Sequence, residues 1–150
     1  MIRNVAREIA MHLSYELSFT DLNAKELLDQ RLSQDRFSAL APEYEAYGKL
    51  PGPSQRDYIR KAVQGVALHG YELDQYIEKY AKGWRFERIP LVAGAIMRLA
   101  MYEILYMPEI PNGAAINEAV EIAKKYESPE VVRFINGILG TFLRSESPEE

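Results

Sequence analysis

Apolar residues recur along most of this chain at the three-to-four-residue spacing of helices packed on one side, and no segment offers a convincing strand. Ile2, Val5, Ala6, Ile9, Ala10, Leu13 and Leu17 form one stripe, which predicts a first helix from about Ile2 to Ser18. Arg3 and Arg7 lie one turn apart on its other side, Met11 and Ser14 continue that outer surface, and Tyr15 sits about 80° from Arg7 on the helical wheel. Spacing alone reads this as a solvated face. After a capping break at Thr20–Asn23, Leu27, Leu28 and Leu32 mark a second helix from Ala24 to about Ser33.

The pattern weakens past Phe37 and Leu40. Ala41-Pro42 and Tyr47 to Pro53 then read as a long connection or short irregular helix, either a mobile segment or a subdomain boundary. Ser54 with Asp57 predicts an N-cap and acidic first turn for a helix whose stripe is Tyr58, Ile59, Ala62, Val63, Val66 and Ala67. His69-Gly70 either ends this helix or interrupts it, because Leu73, Ile77 and Tyr80 carry the spacing onward. Trp84 and Phe86 supply large apolar groups for a plug between subdomains.

Ile89-Pro90 opens a strongly apolar, central helix through Leu91, Val92, Ala95, Ile96, Leu99 and Ala100. The next carries Ile116, Ala119, Val120 and Ala123. The last opens on Ser128-Pro129-Glu130 and continues with Val131, Ile135, Ile138, Leu139 and Phe142. Asn117 and Asn136 interrupt these two stripes, and we read them as buried amides fixing helix register, with Gly137 admitting a close backbone approach. The expectation is an all-α protein of about seven helices in two packed subdomains, at about residues 1–80 and 84–144, within a single domain.

At 150 residues the chain buries roughly 68 to 70% of its unfolded surface without a staple. It has no Cys and no apolar run of membrane-spanning length or signal-peptide core at Met1-Ile2-Arg3-Asn4, so we expect a cytoplasmic protein with no membrane contact. Disorder is expected only in the tail from Ser145 to Glu150. A net charge of −4 argues against a sequence-blind nucleic-acid binder and confines any nucleic-acid contact to a local patch.

No glycine cluster between a strand and a helix exists to cradle a nucleotide. Glu8 and His12 are four apart, but His12 and His69 are the only histidines and no Glu-x-x-His pair is present, so no metal or other cofactor is expected. Neither a Cys nor a Ser-His arrangement offers a nucleophile, and we expect no enzyme.

Arg98-Leu99-Ala100-Met101-Tyr102-Glu103-Ile104-Leu105, then Ile110-Pro111, Ala115 to Tyr126 with its Ile116-Asn117-Glu118-Ala119, and Phe134-Ile135-Asn136-Gly137-Ile138-Leu139-Gly140 stand in an order and spacing that resembles the NusB family of transcription antitermination factors. Ala6-Arg7-Glu8 and Tyr15 extend the resemblance to the front of the chain, and Asp21 to Pro53 contributes least. The resemblance implies two helical subdomains and a non-catalytic adaptor. It implies pairing with NusE, a protein also found in the small ribosomal subunit, and joint binding of single-stranded boxA RNA on nascent ribosomal transcripts within the transcription elongation complex.

It further implies RNA contacts at Arg3 and Arg7, at Glu130 and Phe134, and at the neighbouring Arg133; because single-stranded RNA offers unpaired bases, we expect Tyr15 or Phe134 to stack on them. Asn4 and Val5 stand between the two arginines where relatives carry a denser cluster, and Ala93-Gly94 stands where an acidic residue is common. Some members self-associate, and periodicity does not decide whether this chain forms a homodimer. Two other readings fit the resemblance: a protein-interaction module that has lost RNA binding, and a relative of the NusB-like domain of ribosomal-RNA methyltransferases. A chain ending at Glu150 leaves no room for the latter's catalytic part.

Overall fold

The computed structural model describes residues 2–147. Among these are eight α-helices, two single-turn 3₁₀ helices and no strand: α1 (Asn4–Leu17), α2 (Ala24–Arg31), α3 (Gln34–Leu40), α4 (Pro53–Leu68), α5 (Gly70–Tyr80), α6 (Leu91–Tyr106), α7 (Asn112–Tyr126) and α8 (Pro129–Glu146), with the 3₁₀ turns at Glu45–Tyr47 and Phe86–Arg88. The all-α expectation holds, and the additional helix is α3. It is seven residues long and contributes one buried side chain, Phe37, so it is too short to show a period; its Ser33 hydroxyl accepts the Arg36 N–H at 3.1 Å and starts it. The tail expected to be disordered is helical at Ser145 and Glu146, Ser147 is the C-cap residue of α8, and residues 148–150 lie outside the described residues.

The chain divides into two units, one up to Ala67 and one from Leu68 onward. In the first, α1 packs on α2 and on the Glu45–Tyr47 turn, and α3 packs on both α2 and that turn. Asn23 and Glu26 close a capping box on α2, each side chain accepting the other's backbone N–H at 2.9 and 3.0 Å. The connection after α3 lies within the first unit and includes a short helical turn, Glu45–Tyr47, whose aromatic residue enters the core. Tyr47 is buried, its ring lies 4.9 Å from that of Phe37, and its hydroxyl is 3.2 Å from His12 Nδ1. Helix α4 begins at Pro53 rather than after a Ser54 cap, since proline is already set to helical φ and has no N–H to leave unpaired.

In the second unit α6 is the central element, packed on α5, α7 and α8. Its burial on nearly every side, from Ala93 to Ile104, matches its continuous apolar sequence. The chain turns at His69, so α4 and α5 are separate helices. The sequence places α5 with the N-terminal part, but Leu73 and Ile77 are buried and α5 packs on α6 and α8, which assigns it to the second unit. Helix α8 buries the expected Val131, Ile135, Ile138, Leu139 and Phe142, with Phe142 edge-on to Tyr76 at 5.1 Å.

The register of α7 differs from the expected one. Its buried residues are Ala115, Ala119, Ile122 and Ala123, while Ile116 and Val120 are half-buried. Asn117 and Asn136 are both exposed, so they are not buried register-fixing amides. A Cβ added at Gly137 would meet nothing within 4 Å, so no backbone approaches it.

Candidate nucleic-acid interface

The residues singled out in the sequence fall on two helices in different units, Arg3, Arg7 and Tyr15 at or on α1 and Glu130, Arg133 and Phe134 on α8. Arg3 is the N-cap residue of α1, extended at φ −77° and ψ 148°, and exposed; its N–H donates to Gln55 Oε1 at 2.9 Å, which ties the start of α1 to α4. It lines a cleft of about 610 Å³ together with Lys49 and Arg56. Lys49 is exposed, and the half-buried Arg56 donates Nη1 to the Pro51 carbonyl at 2.6 Å. Glu45 lines the same cleft, which therefore holds three cations and one carboxylate.

Arg7 does not share that exposure. It is 5% exposed, and its Nη1 donates to the Ile2 carbonyl at 3.1 Å. Met11 and Ser14, expected on the same outer surface, are 1% and 9% exposed, while Val5 from the expected core stripe is 44% exposed. The apolar stripe marks only part of what α1 buries. Arg7 therefore ties down the backbone just before Arg3, since a guanidinium hydrogen bond in a covered site is stronger than one in water. Tyr15 is half-buried, with its ring 5.0 Å from that of the exposed Phe19.

The α8 group is open. Ser128 accepts the Val131 N–H at 3.4 Å and Pro129 follows it, which places Glu130 in the first turn where the helix dipole favours an acid. Glu130 and Arg133 are exposed and Phe134 is half-buried. Phe134 packs on Trp84 with ring centroids 4.4 Å apart and planes tilted by 42°. Trp84 and Phe134 both belong to the second unit.

Sequence reasoning missed Lys49, Arg56 and Trp84 as neighbours of the predicted contacts. The available signal was the cations flanking Pro51-Gly52-Pro53, which line the same cleft as Arg3. Glu127, just before α8, has its carboxyl raised above the usual range by burial. Among the described residues no group of three or more His, Cys, Asp or Glu is placed to hold a metal ion, and no helix is long and apolar enough to cross a membrane.

The NusB family model matches residues 4–144. The transcription antitermination protein NusB of Acetivibrio thermocellus is 40% identical over 144 residues, spanning 96% of this chain and 90% of that protein. The transcription antitermination protein NusB of Carboxydothermus hydrogenoformans is 39% identical over 140 residues, spanning 93% and 91%. The fold is also that of a solved T. maritima NusB structure, with a TM-score of 0.78 at 24% identity over 99% of this chain and 96% of that one. The arrangement of α6, α7 and α8, and the blocks from Arg98 to Gly140 that build it, thus have their counterparts in known proteins. The chain belongs to the NusB family of transcription antitermination proteins, which are non-catalytic factors.

Proposed function

We propose that this chain is an RNA-binding adaptor that pairs with NusE and, with it, holds single-stranded boxA RNA of a nascent transcript in the cytoplasmic elongation complex. The observation that carries this reading is the family match over residues 4–144, together with relatives named as antitermination proteins. Arg3 and Arg133 supply exposed cations, Tyr15 and Phe134 supply half-exposed rings, and Glu130 accepts hydrogen bonds from base edges. Arg7 acts as a positioning residue for Arg3.

Charge decides how such a surface works. Contacts at Arg3, Lys49, Arg56 and Arg133 give a single-strand salt slope near −2.8, or roughly a fiftyfold loss of affinity between 50 and 200 mM salt. That is a modest grip for a chain of net charge −4. The adaptor therefore binds boxA usefully only when NusE completes the RNA path. Titrating boxA RNA with and without NusE tests this: binding should tighten at least tenfold with the partner, and equal affinities would sink it. Arg3→Ala should weaken RNA binding without loss of helix content or NusE binding, whereas Arg7→Ala, at a covered site, should also lower stability.

A further inference from the structure

Ala81 to Pro90, between α5 and α6, holds the one tryptophan of the chain. Its conformation is specified locally. The Trp84 N–H donates to the Ala81 carbonyl at 3.2 Å and Gly83 has φ +85°, the left-handed third position of a turn that a glycine occupies without strain. The turn sets Trp84 against Phe134, and both rings remain half-exposed. Exposed Lys82, Arg85, Arg88 and Arg133 neighbour this pair in sequence against the carboxylates Glu87 and Glu130, a local excess of positive charge in an acidic chain. The Arg85–Glu87 pair is 3.7 Å apart with both side chains more than 70% exposed, so solvent screens it and leaves Arg85 available to an anion.

We infer that Trp84 is a base-stacking residue, forming with Phe134 one aromatic platform on the second unit for an unpaired base of single-stranded RNA. The inference rests on the RNA-binding reading above and extends it to a loop outside both predicted groups. Flat, partly open rings among cations suit a nucleic acid, because every base has a π-face and every linkage a phosphate. The four cations would track the backbone on either side of the stacked base, while the aromatic pair contributes affinity that salt does not screen.

The single indole makes the test direct. The full chain, with NusE, is titrated with a boxA RNA oligonucleotide while indole fluorescence is followed, with the Trp84→Phe chain plus NusE as blank. The proposal expects saturable quenching, a roughly 5- to 100-fold loss of affinity in Trp84→Ala at an unchanged salt slope, and near-normal affinity in Trp84→Phe. Arg85→Ala with Arg88→Ala should instead flatten the slope by about 1.4. Full affinity in Trp84→Ala overturns the stacking role and leaves the RNA reading standing. An indole change on NusE addition alone, with none added by RNA, assigns Trp84 to a protein contact and overturns it too. If the wild-type pair binds no boxA, both readings fall. Should Trp84→Ala lose its helical signal, an oligonucleotide of the same length with abasic sites decides: equal quenching by it overturns the proposal, and lost quenching supports it.

Discussion

Helices α1 and α8 each carry an arginine on the side opposite an apolar stripe, yet Arg7 is 5% exposed and Arg133 is exposed. The difference lies in what else each helix offers. On α8 the buried residues keep to one stripe, Val131, Ile135, Ile138, Leu139 and Phe142, and the remaining positions stay largely open. On α1 eight residues in the run from Ala6 to Ser14 are buried, including Met11 away from the main stripe. A stripe states which face must leave water. It does not state which faces may remain in it, because an arginine can be covered when its guanidinium finds acceptors.

Removing core contacts should cost the most. Phe142→Ala on α8 should lower stability by about 3–5 kcal/mol in a denaturant titration, since a fully buried ring leaves a cavity beside Tyr76 and Tyr80. A loss below about 1 kcal/mol would mean that α8 is not held by its stripe.

Next come the two arginines. Arg7→Ala should cost about 1.5–3 kcal/mol through the bond to the Ile2 carbonyl. Arg133→Ala should stay within about 0.5 kcal/mol. Equal midpoints for the two variants would erase the distinction drawn between the helices.

Gly137→Ala tests the open side of α8 in the opposite direction. With nothing within 4 Å of the added Cβ, helix propensity should stabilise the protein by about 0.5–1 kcal/mol. A lower thermal midpoint would reveal a neighbour at that face.

The smallest expected effect is the acid response at the end of α8. The Tyr80 hydroxyl donates to Glu146 and the Lys79 ammonium lies 3.2 Å away, and together they hold the Glu146 carboxyl below its usual 4.5. Its contribution is present above pH 4.5 and is lost as pH falls through the lowered folded value. Glu146→Gln should therefore reduce the loss of thermal midpoint on acidification, measured by circular dichroism; an unchanged acid limb would remove the role.

Much of the fold was legible in particular residues. Ser128-Pro129-Glu130 and Asn23 with Glu26 mark helix starts because the first turn's N–H groups need acceptors wherever the helix lies. The apolar run of α6 announces a central helix because no side of it gains from water. The candidate interface was only half legible. Glu130, Arg133 and Phe134 are open to solvent or partly so, while Lys49 and Arg56, about fifty residues on, share a cleft with Arg3 only in the folded chain. Asn117 and Asn136 were misread, because an amide in an apolar run looks the same whether it faces a neighbour or solvent, and a shift of one position around α7 moves the buried set from Ile116 to Ala115.

Residue order was enough for the longer helices, for the cap at Ser128 and for the family, because these depend on neighbours a turn away, whereas the seven-residue α3 and the start of α4 at Pro53 were not foreseen. Only the tertiary structure decided that Arg7 is covered, that α5 belongs with α6 and α8, and that Trp84 meets Phe134. Each of these rests on contacts between residues far apart in the chain, which local periodicity does not encode.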